Sequence, residues 1–468
     1  MLNWFISNQQ PEDIYTQEQL FAKIVLPVFK LYPEIAFLAN NNRIAATSEG
    51  TASNNDANSW TSFLAREGLL ENTSQKYIEL ERTLHSLVCF NLIVDGSKSA
   101  YNYWKQQQKF AILTVDSFNK LHNLVAHSVN THEIFKAIEA SLVYSDLGKS
   151  QEIKNLGAKE GLMIDDHDDF MQALYSSNAT IRKKIIPSFE SLPHNIKQHI
   201  VELNASVPIH WGYILQLEGG QHMFTKLLNG NRITVEFLQQ NFLINICDIA
   251  GALAHVMPLG SLTFNEHVWG AFQMVLETIE QFLTHRNPSK AYLDLMHKKA
   301  NYLGYPLDNK DKDEKFAILT RLGFFLRLYN REDGALLKKY SDIIYSTKEY
   351  LLVKKCFGIN SGINTWKHHP TYIPAVLLNL FNSTSEISDK YKNALNGFIV
   401  LAKIIDEYQK LEYNNSESPL CFNKLAAQAK FNPELFAETF EISQINWDDP
   451  KNLIINYPRI SLKYSSTP

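Results

Sequence analysis

The sequence predicts a mainly α-helical fold, and three observations predict it. Apolar residues recur at three- and four-residue spacing, as in LFAKIVLPVFKLY (Leu20–Tyr32) and TLHSLVCFNLIV (Thr83–Val94). That is the period of amphipathic helices. Runs that alternate apolar and polar residues, the mark of half-buried strands, are scarce. No segment repeats at a fixed period, so a solenoid or propeller is not indicated.

Taken in order, residues 1–59 read as a short helical arm followed by a flexible linker. The linker, NNNRIAATSEGTASNNDANS, is rich in Asn, Ser, Ala and Thr and nearly lacks large apolar residues. Residues 60–410 read as one large helical body, interrupted by a solvated mixed-charge loop at LDNKDKDEK (Leu307–Lys315). After the break LEYNNSESP, residues 411–468 read as a small helical C-terminal extension and a frayed tail.

The chain has 468 residues, 45% hydrophobic and 20% charged, with a net charge of −4. Acids and bases are interspersed, so no basic patch marks nucleic acid as a partner. Cys89, Cys247, Cys356 and Cys421 lie far apart, which fits neither a zinc site nor a disulfide scaffold and favours a reducing compartment. The first residues, MLNWFISNQQPED, lack the basic and apolar regions of a secretory signal peptide. No window holds the roughly 18 uncharged apolar residues of a membrane span. A soluble protein is expected.

Four stretches carry candidate chemistry. In EASLVYSDLGKSQEI an apolar helix ends at Asp146, with Gly148 as a stop and Lys149 beside it. Such an Asp can serve a ligand, or simply cap a turn and pair with the lysine. In GLMIDDHDDFMQAL, His167 stands among Asp165, Asp166, Asp168 and Asp169 at a helix start. The acids suit the helix dipole, and they favour the protonated imidazole. In HWGYILQLEGGQHMF, Glu218 closes a short helix before two glycines. The negative end of that helix raises its pKa, as acid–base work needs; a surface Glu before a Gly cap is the plain alternative. In FLINICDIAGALAHVMPLGS, Asp248 lies in an apolar helix with Ala250, Gly251, Ala252 and Ala254 around it. His255, seven residues on, falls on the same helix face. The small residues let another helix or a ligand come close.

Further along, RLGFFLRLYNREDG puts Arg321 and Arg327 on a helix, with Arg331 just after. These can hold phosphates or snorkel to the surface. Lys367, His368 and His369 precede a proline and read as a turn. His267, His285 and His297 are isolated. Glu79 and Glu81 form an E-x-E pair like that of ADP-ribosyltransferases. They lie in a helical pattern without that fold's upstream strand elements, and that identity is set aside.

The order SDLGK, DDHDD, LEGG, CDIAGALAHV, RLGFFLRLY resembles known enzymes. Its first and fourth elements resemble the HD hydrolases, with Asp146 and Asp248 at the two Asp positions and His122 or His127 as the upstream His. Ser145 stands where that class has its metal-binding His. The whole order, over roughly residues 60–410, resembles the phosphodiesterase domain of the SidE family of Legionella effectors and its stand-alone relatives. That resemblance implies an HD-like helical phosphodiesterase that needs no metal and no cofactor. It implies His167 as a nucleophile forming a transient phosphoramidate, His255 as the acid for the leaving oxygen, and Glu218 as an orienting or ribose-holding group. It places Asp146, Lys149, Asp248 and Arg321 at the substrate. The substrate implied is ADP-ribose or phosphoribose on ubiquitin or another protein, with an AMP moiety; the site implied is the host cytosol. A metal-dependent HD-type nucleotide phosphohydrolase and a non-catalytic nucleotide- or ubiquitin-binding module are the alternatives.

Overall fold

The structure is a computed structural model. It describes residues 14–456 apart from 40–58, 71–77, 165, 207–210, 230–232, 308–309, 343, 345–347, 364–369 and 412–419. The Asp165 side chain, most of the linker, the pair His368 and His369, and the tail after 456 therefore lie outside the described residues. Helices dominate, as the sequence predicts. Among the described residues the strands are one antiparallel pair, Ile445–Asn446 with Ile454–Ile455. None of the described helices is long and apolar enough to cross a membrane.

The chain folds into two compact units. Unit 1 draws on residues 1–44, 50–209 and 227–276, and unit 2 on 210–226 and 277–468. The 60–410 stretch expected as one body is thus shared between them.

Unit 1 is built on the helix Ile78–Asp95, buried at every position from Leu80 to Val94. A helix covered on all sides has to be central. The helices Val115–Ser128, His132–Ser145 and Val235–Gly251 pack against it. The last comes closest because of Gly251: a Cβ there would lie 2.4 Å from Ser86 Oγ and 2.7 Å from the Arg82 carbonyl oxygen. The N-terminal arm is part of this unit. Thr16 and Gln19 form a capping box at the helix Gln17–Leu20. Tyr32, Ile35 and Leu38 are buried, and the Tyr32 ring meets Tyr144 edge-on at 5.7 Å.

A buried polar pair fixes the helix Trp60–Arg66 to the central helix. Glu81 accepts from the backbone N–H of Trp60 (3.1 Å) and of Thr61 (2.7 Å). Trp60 Nε1 donates to His85 Nδ1 at 3.0 Å, which leaves His85 Nε2–H to donate to the Gly260 carbonyl at 2.7 Å. Burial holds this imidazole neutral, with its pKa lowered to about 4.

In unit 2 the long helix Ile387–Lys410 buries one face against Tyr350–Phe357, where Phe357 and Phe398 stack at 4.1 Å. The expected C-terminal extension is helical, at Asn423–Phe431, and it packs on Ile373–Phe381 through a bond from Asn379 to the Ala426 carbonyl (2.8 Å). Thr371 also bridges the backbones of Leu420 and Phe422. Two expectations need correction. The mixed-charge stretch to Lys315 is helix from Lys310 onward. Arg327 is not helical: it is exposed beyond Phe325 with a φ of +55°.

Gly251→Ala is expected to destabilise the protein by about 1–3 kcal/mol in urea unfolding, because the new methyl meets backbone rather than a flexible chain end. Gly212→Ala, in the helix Trp211–Leu215, is the control. Its new methyl would meet nothing within 4 Å among the described residues, and stability should change by less than about 0.5 kcal/mol.

Candidate functional site

The helix His132–Ser145 ends where the sequence places its end, with Asp146 as C-cap and a 3-10 turn at Leu147–Lys149. Ser145, the residue in place of a metal-binding His, donates its hydroxyl to the Leu142 carbonyl at 3.1 Å. Asp146 is 7% exposed. Its Oδ2 accepts from Thr83 Oγ1 at 3.0 Å, and its Oδ1 pairs with Lys149 Nζ at 2.7 Å. The same ammonium reaches Glu79 Oε2 at 3.0 Å, and Glu79 Oε1 pairs with Arg82 at 3.3 Å. Glu79, Arg82 and Thr83 occupy the first turns of the central helix, so that helix and the turn are joined by charge.

Asp248 is the fifth charged group. It lies on Val235–Gly251 one turn before Gly251, whose contact with Arg82 and Ser86 sets the helix against this end of the central helix. Burial and the charge of Asp146 raise its pKa, while Arg82 and Lys149 pull it down less strongly. For Asp146 the balance is reversed. Burial would raise it, but Lys149 and Arg82 prevail and hold it below the usual carboxylate range. Burial disfavours the Lys149 ammonium, yet Asp146 and Glu79 keep its pKa above the ordinary lysine value. Among the described residues Asp248 receives no direct hydrogen bond, whereas Asp146 receives two. Two adjacent carboxyls with opposed shifts give one fixed anion and one group able to exchange a proton.

His167 opens the helix His167–Ser176. Asp166 caps that helix by accepting from the N–H groups of Asp168 (2.9 Å) and Asp169 (3.0 Å). The His167 side chain is 34% exposed, with Nε2 3.5 Å from Asp168 Oδ1. Its backbone lies on the Asp146–Lys149 turn: a Cβ on Gly148 would stand 2.4 Å from the His167 carbonyl oxygen. Gly148 is therefore required for this contact, and its φ is not in the left-handed region of a glycine helix stop. One ligand atom each from Asp166, His167 and Asp168 lie within 4.8 Å of one another, the geometry for a cation, although Asp166 already serves as the cap.

Asp146, Lys149, Asp248 and His167 thus belong to one region of unit 1. His255 is in the same unit and is 9% exposed, but the expectation of a shared helix face with Asp248 does not hold. The helix ends at Gly251, and His255 sits in the turns that follow. Of the two upstream histidines, His122 bonds through Nδ1 to the Ile93 carbonyl at 2.9 Å. Ile93 is ten residues beyond Thr83, about 15 Å along the helix. His127 is exposed and bonds to the Asn123 carbonyl.

Glu218 and Arg321 belong to unit 2. Glu218 is buried, and its Oε1 accepts the N–H of Ile373 at 2.8 Å, at the start of the helix Ile373–Phe381. Its pKa is raised to about 8, as the sequence leads one to expect, but the cause is burial and not the end of its own helix. Bonds from Ile373 and Tyr372 and the charge of Arg321 oppose the rise.

Sequence reasoning missed Glu79, Arg82 and Thr83. The signal was present as four polar residues, Glu79, Glu81, Arg82 and Thr83, at the head of a helix otherwise made for the core. The site is therefore a buried ion-pair cluster where three helices meet, with a half-exposed histidine seated on its turn. The chain belongs to a family of unknown function, DUF6829, whose model matches residues 40–420. Neither the curated proteins nor the solved structures contain a match to it.

Lys149→Met is expected to cost on the order of 3 kcal/mol, because it takes the paired cation from the buried Asp146 carboxylate. Wild-type Asp146, with its lowered pKa, adds stability above the ordinary carboxylate range and loses it as pH falls. In the variant burial raises it, so stability falls as pH rises. The gap in melting temperature between wild type and variant should widen from pH 5 to pH 8. For Glu218 the sign is opposite to that of wild-type Asp146. Its contribution is full below the ordinary value of 4.5 and is lost as pH rises through about 8. Glu218→Gln should flatten that decline in thermal melts.

Proposed function

We propose that unit 1 is a phosphodiesterase that hydrolyses a phosphodiester or pyrophosphate linkage through His167. The observation that carries the reading is the seating of His167 on Gly148, inside the turn that bears Asp146 and Lys149. A nucleophile for phosphorus needs to be reachable, and His167 is half-exposed. It also needs cations near the phosphoryl oxygens and a proton donor for the leaving group. Lys149 and Arg82 are the cations. Asp248, with its raised pKa, and His255 are the two candidates for the donor.

In this reading a His167 ring nitrogen attacks phosphorus, and a P–N bond forms as the P–O bond to the leaving group breaks. The donor protonates the departing oxygen. Water then attacks the phosphoramidate, the P–N bond breaks, and the imidazole is restored. Asp146 holds Lys149 in place. The Lys149 ammonium stands between Asp146 and Glu79, where it supplies positive charge to the site, which supports the metal-independent form over a metal-dependent HD-type hydrolase.

The substrate comes from the motif order: ADP-ribose or phosphoribose carried on ubiquitin or another protein, cleaved hydrolytically. A secreted effector acting in a host cytosol follows from the same resemblance.

The test is incubation with phosphoribosyl-linked ubiquitin and with ADP-ribosylated ubiquitin. Release of the substrate protein, or of AMP, is expected from wild type and should fall by roughly 10³-fold or more in His167→Ala. Unchanged release in that variant removes His167. Asp248→Asn and His255→Gln identify the donor, as the one whose loss abolishes the basic limb of the pH–rate profile. Activity retained in Glu218→Gln confines Glu218 to capping. Binding of AMP without turnover by any preparation overturns the enzyme in favour of a binding module.

A further inference from the structure

Unit 2 contains a buried cation with no carboxylate partner among the described residues. Arg321, on the helix Lys310–Phe325, is 3% exposed. Its guanidinium donates once, from an NH1 nitrogen to Ser361 Oγ at 2.8 Å, and that hydroxyl donates onward to the Gly358 carbonyl. Its Nε has no hydrogen-bond partner among the described residues. Among the described residues no carboxylate oxygen lies within the 4.0 Å of an ion pair with it. Phe325 and Phe357 lie 5.8 and 5.5 Å away and offer only ring faces. Glu218 feels its charge, but its Oε1 is bonded to the start of Ile373–Phe381.

A second unmet donor belongs to the same unit. Tyr292, on the neighbouring helix Pro288–Tyr302, is fully buried, and its hydroxyl also has no hydrogen-bond partner among the described residues. After burial, the largest influence on that phenol is the charge of Arg321, with Glu314 opposing it. Glu314 itself accepts the N–H of Ile359 at 3.0 Å. Buried polar groups are paired as a rule, and a buried guanidinium needs an anion more than it needs a neutral acceptor. A single water satisfies at most two donors and neutralises nothing. A fixed guanidinium fork with a phenol beside it is a donor set for a tetrahedral oxyanion.

We propose that unit 2 binds a phosphate group, free or carried by a nucleotide, between Arg321 and Tyr292. The bound group satisfies Arg321 Nε and the Tyr292 hydroxyl and supplies the counter-charge that the protein withholds. It does not rest on the reading of the His167 region of unit 1.

The experiment is thermal melting and isothermal titration of the full chain with inorganic phosphate, AMP or chloride at matched ionic strength. Phosphate is expected to raise the melting temperature and to bind, where chloride does neither. Arg321→Met should weaken phosphate binding by roughly tenfold to a hundredfold, the worth of a charge-assisted hydrogen bond. Tyr292→Phe should weaken it by a smaller factor, and it carries the test if Arg321→Met does not fold. Lys149→Met, in unit 1, should leave this binding intact, which separates it from phosphate held at the proposed catalytic site. Tighter binding of AMP than of phosphate identifies the source as a nucleotide, and equal binding identifies free phosphate. Identical melts in phosphate and chloride, or a phosphate effect unchanged in both unit 2 variants, overturn the proposal.

Discussion

Five charged side chains gathered inside a helical unit must compensate one another before anything else in that unit can be stable. Glu79 and Arg82 come from one helix, Asp146 and Lys149 from a turn, and Asp248 from a third element. A buried charge left alone costs several kcal/mol, so these elements cannot slide or rotate independently. Their close approach follows from that requirement. Gly251 lets one helix reach Arg82 and Ser86, and Gly148 lets the His167 backbone reach the turn. The electrostatic constraint and the two missing side chains are thus one design. Charge chooses the register, and glycine makes the register sterically possible.

Elsewhere the fold handles carboxyls differently. Glu81 accepts N–H groups at the start of Trp60–Arg66, and Glu34 does so at Ser188, in the helix Pro187–Ser191. Glu266 accepts from Thr114, which precedes Val115–Ser128. Glu218 accepts from Ile373, and Glu314 accepts from Ile359. In each case a glutamate distant in sequence supplies the acceptor at a helix start, where free N–H groups and the positive end of the dipole favour a carboxyl. Glu218, selected in the sequence for its position before two glycines, belongs to this series by its contacts. Its raised pKa reflects burial with a backbone partner, and a perturbed pKa by itself does not separate a structural carboxyl from a catalytic one.

The sequence made the helical class legible because helical periodicity is local. It also made local terminators legible: the end at Asp146, the Asp-rich start at His167, and the small-residue face around Asp248 that admits another helix. Pairings across distance were not legible. Glu79 lies seventy residues from Lys149, and no local pattern distinguishes it from Glu81, which caps a different helix. The burial of Arg321 was hidden for the same reason, since amphipathic spacing gives a face but not what covers it. The extension of Asp248's helix to His255 was expected from an unbroken apolar run. The helix stops at Gly251, and the serine and threonine hydroxyls that follow bond back to its last carbonyls, from Ser261 to Ala250 and from Thr263 to Ile249.

Ser145 is where local reading and three-dimensional reading meet. Read along the chain, it is a missing ligand. In the fold it closes a helix end through the Leu142 carbonyl, and the cationic position is taken four residues later by Lys149. An ammonium differs from a divalent ion in two ways that matter for chemistry. It carries half the charge, and Asp248 beside it keeps a raised pKa, set by burial and by Asp146. It is also covalently part of the chain, so its position depends on the turn and not on ligand supply. In the proposed reading the attacking group is therefore a side chain and not a metal-bound hydroxide. Among the described residues, the imidazole seated on that turn by backbone contact is that of His167.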